Sequence, residues 1–302
     1  MNIMGIVNQI LMMLMIVAVG LILRKRSILT VPVIKGLSFI VLKIAMPALV
    51  LMITQREIAG DLRSNFGKMA LFSLLMLSTS AVIIYLLAKN KMSQHKAPVF
   101  SALAAMPNAG FMGLPVVQVA YGDVGALYLA AFLIGFNLTI FTVLEYIMGG
   151  KALGIRQVLL NVGIIASILA LLFYLFSVRL PAPIVSFLTQ LGGLTTPLSM
   201  LLAGARMAEF RFDALKDGTL WSAIGLRLLA FPLLSWLLFS ALGFTGVELG
   251  VMTLASAMPC AVAGQMYAER FDKDAVFAAT GVSISTVLCL ISIPLIAWIT
   301  GA

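Results

Sequence analysis

Ten apolar stretches of about twenty residues run through this sequence, roughly Ile3–Leu23, Val33–Ile53, Gly67–Leu87, Ala97–Val119, Val124–Tyr146, Val158–Phe176, Ile184–Ala203, Leu220–Leu242, Leu249–Ala268 and Ala275–Ile299. A hydrocarbon core about 30 Å thick is crossed by about 20 apolar residues of helix. Runs of this length lack the alternation of a membrane β-barrel. The fold class is therefore an all-α membrane protein. Composition agrees: only 10% of the 302 residues are charged, against about 25% in soluble domains, and the mean hydropathy is +1.12. The first stretch is too long for a cleaved signal peptide and has its basic cluster after it, so it reads as a retained span. No loop exceeds about twenty residues, which leaves no room for a soluble catalytic domain.

The net charge of +9 follows topology and does not call for a nucleic-acid partner. With the N-terminus outside, the inner loops carry Arg24, Lys25, Arg26, Lys35, Lys89, Lys91, Lys96, Lys151, Arg156, Arg206, Arg211, Lys216, Arg270 and Lys273, whereas the outer loops carry Arg56, Arg63, Lys68 and Arg179. Basic residues gather on the cytoplasmic side of membrane proteins. Both termini are thus expected outside, in a multi-pass protein of the inner cell membrane.

The chain also resembles itself. Pro47 matches Pro197 at a shift of 150, Ala105-Met106-Pro107 matches Ala257-Met258-Pro259 at 152, and Asp123 matches Asp274 at 151. Two five-span halves, residues 1–148 and 149–302, would then enter the membrane from opposite sides. Inverted repeats of this kind underlie alternating access in many secondary transporters.

Pro107 and Pro259 each lie ten residues into their spans, about 15 Å deep at 1.5 Å per residue. Proline removes an amide donor and clashes with the preceding turn, so both helices should break at mid-membrane. Irregular backbone at that depth survives only when buried in protein or lining a cavity. Two restarting half-helices offer free amides and positive dipole ends, which together make an anion site without a buried cation.

The run Pro107-Asn108-Ala109-Gly110-Phe111-Met112-Gly113-Leu114-Pro115, with Tyr121-Gly122-Asp123 after it, resembles the auxin efflux carrier family. That family includes plant PIN-formed auxin exporters and bacterial carriers associated with malonate and other organic acids. The similarity extends over the chain in length and span count, with a looser second motif, Pro259-Cys260-Ala261-Val262-Ala263-Gly264. It implies a fold like sodium/proton antiporters and bile-acid symporters. Spans 1, 2, 6 and 7 would form a scaffold, and spans 3–5 and 8–10 a moving transport domain. It further implies a small organic anion held by its carboxylate at the crossover of Pro107, Asn108, Ala109 and Gly110 with Pro259, Cys260 and Ala261. Asn137 of the fifth span would assist. The lipid bilayer is the other partner, and a homodimer would form through the scaffold spans.

The remaining polar residues are read as follows. Glu145 lies near the inner surface and reads as interfacial. Lys43 and Arg227 either snorkel or balance charge within the bundle. Asp123 and Asp274 read as helix N-caps, His95 as a solvated loop residue, Ser283 and Ser285 as bonded within their helix, and Cys260 and Cys289 as packed thiols. No acidic residue sits at the midplane of a span, and no metal-ligand or catalytic constellation is apparent, so neither a metal nor a cofactor is expected. The principal expectation is a secondary carrier working by an elevator-like or rocking motion. The alternatives are a membrane-embedded enzyme acting on a lipid substrate, and an ion channel or sensor.

Overall fold

The computed structural model describes residues 3–55, 63–150, 156, 160–208 and 212–301. Arg56, Lys151, Val158 and Arg211, which enter the sequence reading as loop charges or a span start, lie outside the described residues. In chain order the helices are α1 (Ile3–Lys25), α2 (Val31–Ile53), α3 (Arg63–Ala88), α4 (Ala97–Ala105), α5 (Ala109–Gly149), α6 (Val162–Leu175), α7 (Ala182–Met207), α8 (Gly218–Ala241), α9 (Gly246–Ala257), α10 (Val262–Arg270) and α11 (Ala275–Thr300). Among the described residues, seven of these (α1, α2, α3, α5, α7, α8 and α11) are long and apolar enough to cross a membrane. The protein is thus an all-helical, multi-pass membrane protein.

Local chemistry sets the helix ends. Pro32, Pro98 and Pro183 stand in the first turns of α2, α4 and α7, where the missing N–H has no helical acceptor to lose. Asn161, Asp217 and Asp274 cap α6, α8 and α11 by accepting from the amides of Gly163, Thr219 and Phe277. The capping role expected of Asp274 is therefore met.

α5 takes in the end of the fourth expected span and the fifth, with a turn at Gly122 between them. Its 41 residues would measure about 60 Å if straight, but Gly122 adopts φ 62° and ψ −148°, a conformation that favours glycine. The chain folds back there. Gly113 faces Leu129 and Gly110 faces Phe136, so the arms 109–121 and 123–149 lie antiparallel.

Prolines also explain a feature absent from the sequence reading. Four π-helical turns occur among the described residues; one, Ile140–Leu144 in α5, has no proline after it, and the other three lie at Val41–Ala45 in α2, Ala109–Gly113 in α5 and Leu226–Ala230 in α8. In each of these three a proline follows two residues after the turn: Pro47, Pro115 and Pro232. A proline deprives the carbonyl four residues upstream of its donor, and the widened turn re-routes the bonding around that gap. In α7 the corresponding irregularity lies at Leu194, three residues before Pro197.

α1, α2 and α7 pack through glycines that let backbones touch. A Cβ on Gly20 would strike the Leu201 carbonyl, one on Gly204 the Val17 carbonyl, and one on Gly192 the Leu49 backbone at 2.8 Å. Valine at Gly204 should therefore force α1 from α7 and destabilise the protein by about 1–3 kcal/mol. Alanine at Gly36, which has nothing within 4 Å, should hold or raise stability by about 0.5–1 kcal/mol. Thermal unfolding of the two variants in detergent checks both.

Candidate substrate site at a helix crossover

Helix α4 stops at Ala105 and α9 at Ala257, each just before its proline. Met106 and Met258 are extended, with ψ of 113° and 149°. The two interrupted segments then pair with each other. The Asn108 amide donates to the Pro259 carbonyl at 2.7 Å, and the Ala261 amide donates to the Met106 carbonyl at 3.0 Å. Pro107 and Cys260 stand opposite one another in this short antiparallel bridge. Backbone groups freed by the prolines, which have no water to turn to at this depth, thus satisfy one another across the crossover.

The carbonyl ends of the half-helices are met by Arg227. Its Nη1 donates to Ala105 O at 2.8 Å and lies 3.4 Å from Ala104 O at the end of α4. Its Nη2 donates to Ser256 O at the end of α9. The guanidinium is fully buried and lies 4.1 Å from the Phe231 ring centroid. Of the two sequence alternatives for Arg227, charge balance is therefore the one realised. A fixed planar fork of donors suits two helix ends at once, which an ammonium cannot match. The signal available in the sequence was Leu226-Arg227-Leu228-Leu229-Ala230-Phe231-Pro232, a cation in a proline-widened turn. Lys43 also lies in a π turn, that of α2, with its ammonium 5.6 Å from the Phe141 ring centroid.

With both negative helix ends neutralised, the positive ends remain. First-turn amides of a helix have no acceptor within it, and the starts of α5 and α10 both face the crossover region. Asn108 adds a further donor. Its side chain is 2% exposed, and Nδ2 makes no hydrogen bond to the described protein. Burying such a donor unpaired costs about 1–3 kcal/mol. Around it, Gly110 lies against Met46 of α2 and Phe136 of α5, and Thr196 of α7 donates to Phe111 O at 2.9 Å. The neighbouring Thr195 hydroxyl is buried and also lacks a partner in the described protein. Both threonines were missed in the sequence, where they look like ordinary helix polarity before Pro197.

The structure thus brings Pro107, Asn108, Ala109 and Gly110 together with Pro259, Cys260 and Ala261, all buried. Asn137 is also buried: its Nδ2 donates to Ser167 Oγ of α6 at 3.1 Å, and its Oδ1 has no partner in the described protein. Cys260 is held by its own amide, which donates to Ser285 Oγ at 3.1 Å. Ser285 therefore serves the crossover as well as bonding Val282 O within its helix. Both cysteines are buried free thiols. Glu145 is buried within the protein and pairs with the exposed Arg270 at the end of α10 at 3.1 Å. Among the described residues, no three His, Cys, Asp or Glu side chains converge as a metal site would require.

Methionine at Arg227 should strand the Ala105 and Ser256 carbonyls and cost about 2–4 kcal/mol at the usual cost of a buried unpaired acceptor. Lysine should recover only part of this loss. The ordering of wild type, R227K and R227M in thermal unfolding is the check.

The sequence profile of the membrane transport protein family matches this chain at residues 5–158 and 151–297. An uncharacterized transporter of Methanothermobacter thermautotrophicus is 30% identical over 304 residues, covering 97% of each chain. An uncharacterized transporter of Methanocaldococcus jannaschii is 25% identical over 310 residues, covering 97% of this chain and 98% of that one. From end to end, then, the chain belongs to the membrane transport protein family, the auxin efflux carrier family whose motif surrounds Pro107.

Proposed function

We propose that the protein carries a small organic anion, of the malonate or auxin-like carboxylic acid class, across the inner membrane by alternating access. The observation that carries this reading is the charge pattern of the crossover: Arg227 occupies the carbonyl ends of α4 and α9, while the amide ends and the unpaired Asn108 Nδ2 are left as donors. A carboxylate is the natural acceptor for such a set. The lipid-enzyme alternative gains no support from the family or from its relatives.

In this reading ten crossings form two inverted halves, residues 1–148 and 149–302, with both termini outside. Spans 3–5 and 8–10 form the moving body, and spans 1, 2, 6 and 7 the scaffold. Polar bonds support that partition. Glu248 of α9 accepts from Tyr128 of α5 and Asn65 of α3. Lys96, just before α4, pairs with Asp217 at the start of α8, and Ser101 of α4 donates to Ala81 O of α3 at 2.7 Å. α1, α2 and α7 instead join by glycine contacts. Links between the two groups are bonds that a moving body would exchange, such as Arg206 of α7 with Glu269 of α10 at 3.0 Å. The crossover is buried in this conformation, so loading requires such a movement.

Two outcomes test the proposal in proteoliposomes. Asn108→Ala should raise the half-saturating anion concentration about tenfold to a hundredfold, the loss of about 1.5–3 kcal/mol expected for a hydrogen bond to a charged group. Folded yield should be unchanged, and unaltered saturable uptake would contradict the assignment. Cysteines at Arg206 and Glu269, joined by a short bis-thiosulfonate cross-linker, should arrest uptake reversibly. Uptake that continues through the cross-link would contradict movement between the two groups.

A further inference from the structure

A groove of about 480 Å³ runs along the outside of the protein between α1, α7 and α11, away from the crossover. Leu21, Met207, Ile284, Val287 and Leu288 give it an apolar floor, and Lys25 stands at its rim. Ser283 also lines it, but that hydroxyl is already bonded to Ala279 O at 2.7 Å. Its volume is close to that of one long acyl chain.

We propose that this groove binds an anionic glycerophospholipid, with the phosphate at Lys25 and one acyl chain along α11. Depth supports the assignment. Lys25 is the last residue of α1 and Met207 the last of α7, so both mark one end of the bundle, at headgroup level. α11 starts at Ala275, and Leu288 lies 13 residues further along, about 20 Å at 1.5 Å per residue. The lining spans Ser283–Leu288 of α11 and Leu21–Lys25 of α1, about 6–8 Å along the helices, so the groove holds the lysine and an apolar floor beside each other, enough to seat a headgroup and the part of an acyl chain next to it. One end is cationic and the rest is greasy, which matches a single-leaflet lipid. A free carboxylate would leave the apolar floor uncovered, and a neutral lipid would leave the lysine without a counter-ion. Lys25 also belongs to the run Arg24-Lys25-Arg26, and basic clusters at this level attract anionic headgroups. One wall is fixed, because α1 and α7 are held backbone to backbone at Gly20 and Gly204. The other is α11, whose Val287 is exposed. A lipid lodged here touches both walls, and its binding does not depend on the carrier reading.

The test is native mass spectrometry of the full chain in neutral detergent, offered an equimolar mixture of dioleoyl phosphatidylglycerol and dioleoyl phosphatidylcholine. The expected result is about fivefold more phosphatidylglycerol adduct, equivalent to the roughly 1 kcal/mol that one lysine contributes near an anionic surface. Lys25→Ala, a surface change, should bring the two lipids to parity. Val287→Trp should fill the floor and remove both adducts from protein that still unfolds cooperatively. Glycerol phosphate, the headgroup chemistry without a chain, should not bind. Equal adducts on the wild type would overturn the proposal. So would a phosphatidylglycerol preference that survives Lys25→Ala, or glycerol phosphate binding as strongly as the lipid.

Discussion

A polypeptide interrupted in the middle of a bilayer must find partners for the backbone groups it frees, and no water is there to supply them. Everything distinctive in this protein follows from how that demand is met at Pro107 and Pro259. Two reciprocal peptide bonds, Asn108 to Pro259 and Ala261 to Met106, tie the broken segments to each other. Arg227 closes the carbonyl ends that remain. A buried guanidinium is costly unless its donors are occupied by suitable acceptors, and here those acceptors are the very groups that the helix breaks expose. Each irregularity is the other's compensation.

The solution is asymmetric, and function follows from the asymmetry. Cation and carbonyl cancel on one side of the crossover, while amide ends and the Asn108 side chain stay donor-rich on the other. Such a place favours an anion without committing a charged side chain directly to it, so affinity can stay moderate, as a carrier that must also release its cargo requires. Polar bonds join α3, α4, α5, α8 and α9, and glycine contacts join α1, α2 and α7; the proposed moving body and scaffold would divide along this line.

Much of this was legible in the residues. Apolar run length alone gives the membrane class, and proline placement gives both breaks, because a missing N–H acts locally whatever surrounds it. Asn108 is singled out by the resemblance of the motif around Pro107 to the auxin efflux carrier family. What could not be read depends on tertiary approach. The direction of the Arg227 side chain is set by where α4 and α9 end in space. The bond from Asn137 Nδ2 to Ser167 could not be read either, since depth along a helix says nothing of rotation about it. The three π turns that precede prolines were written in the spacing of Pro47, Pro115 and Pro232 and went unread because a proline-induced break and a proline-widened turn share one sequence signature. The register of Glu145 gives its place near a span end, but its ion pair with Arg270 depends on where α10 ends in space.

The central claim is that a carboxylate sits against the Asn108 side chain. Dipolar recoupling in solid-state NMR measures this directly, using protein in lipid with ¹⁵N-labelled asparagine side chains and a ¹³C-carboxylate acid whose saturable binding has been verified. The account predicts strong dephasing of the Asn108 Nδ2 signal, at a separation of one hydrogen bond, that vanishes when unlabelled acid displaces the ligand. Bound acid that leaves the Asn108 signal undephased would contradict it.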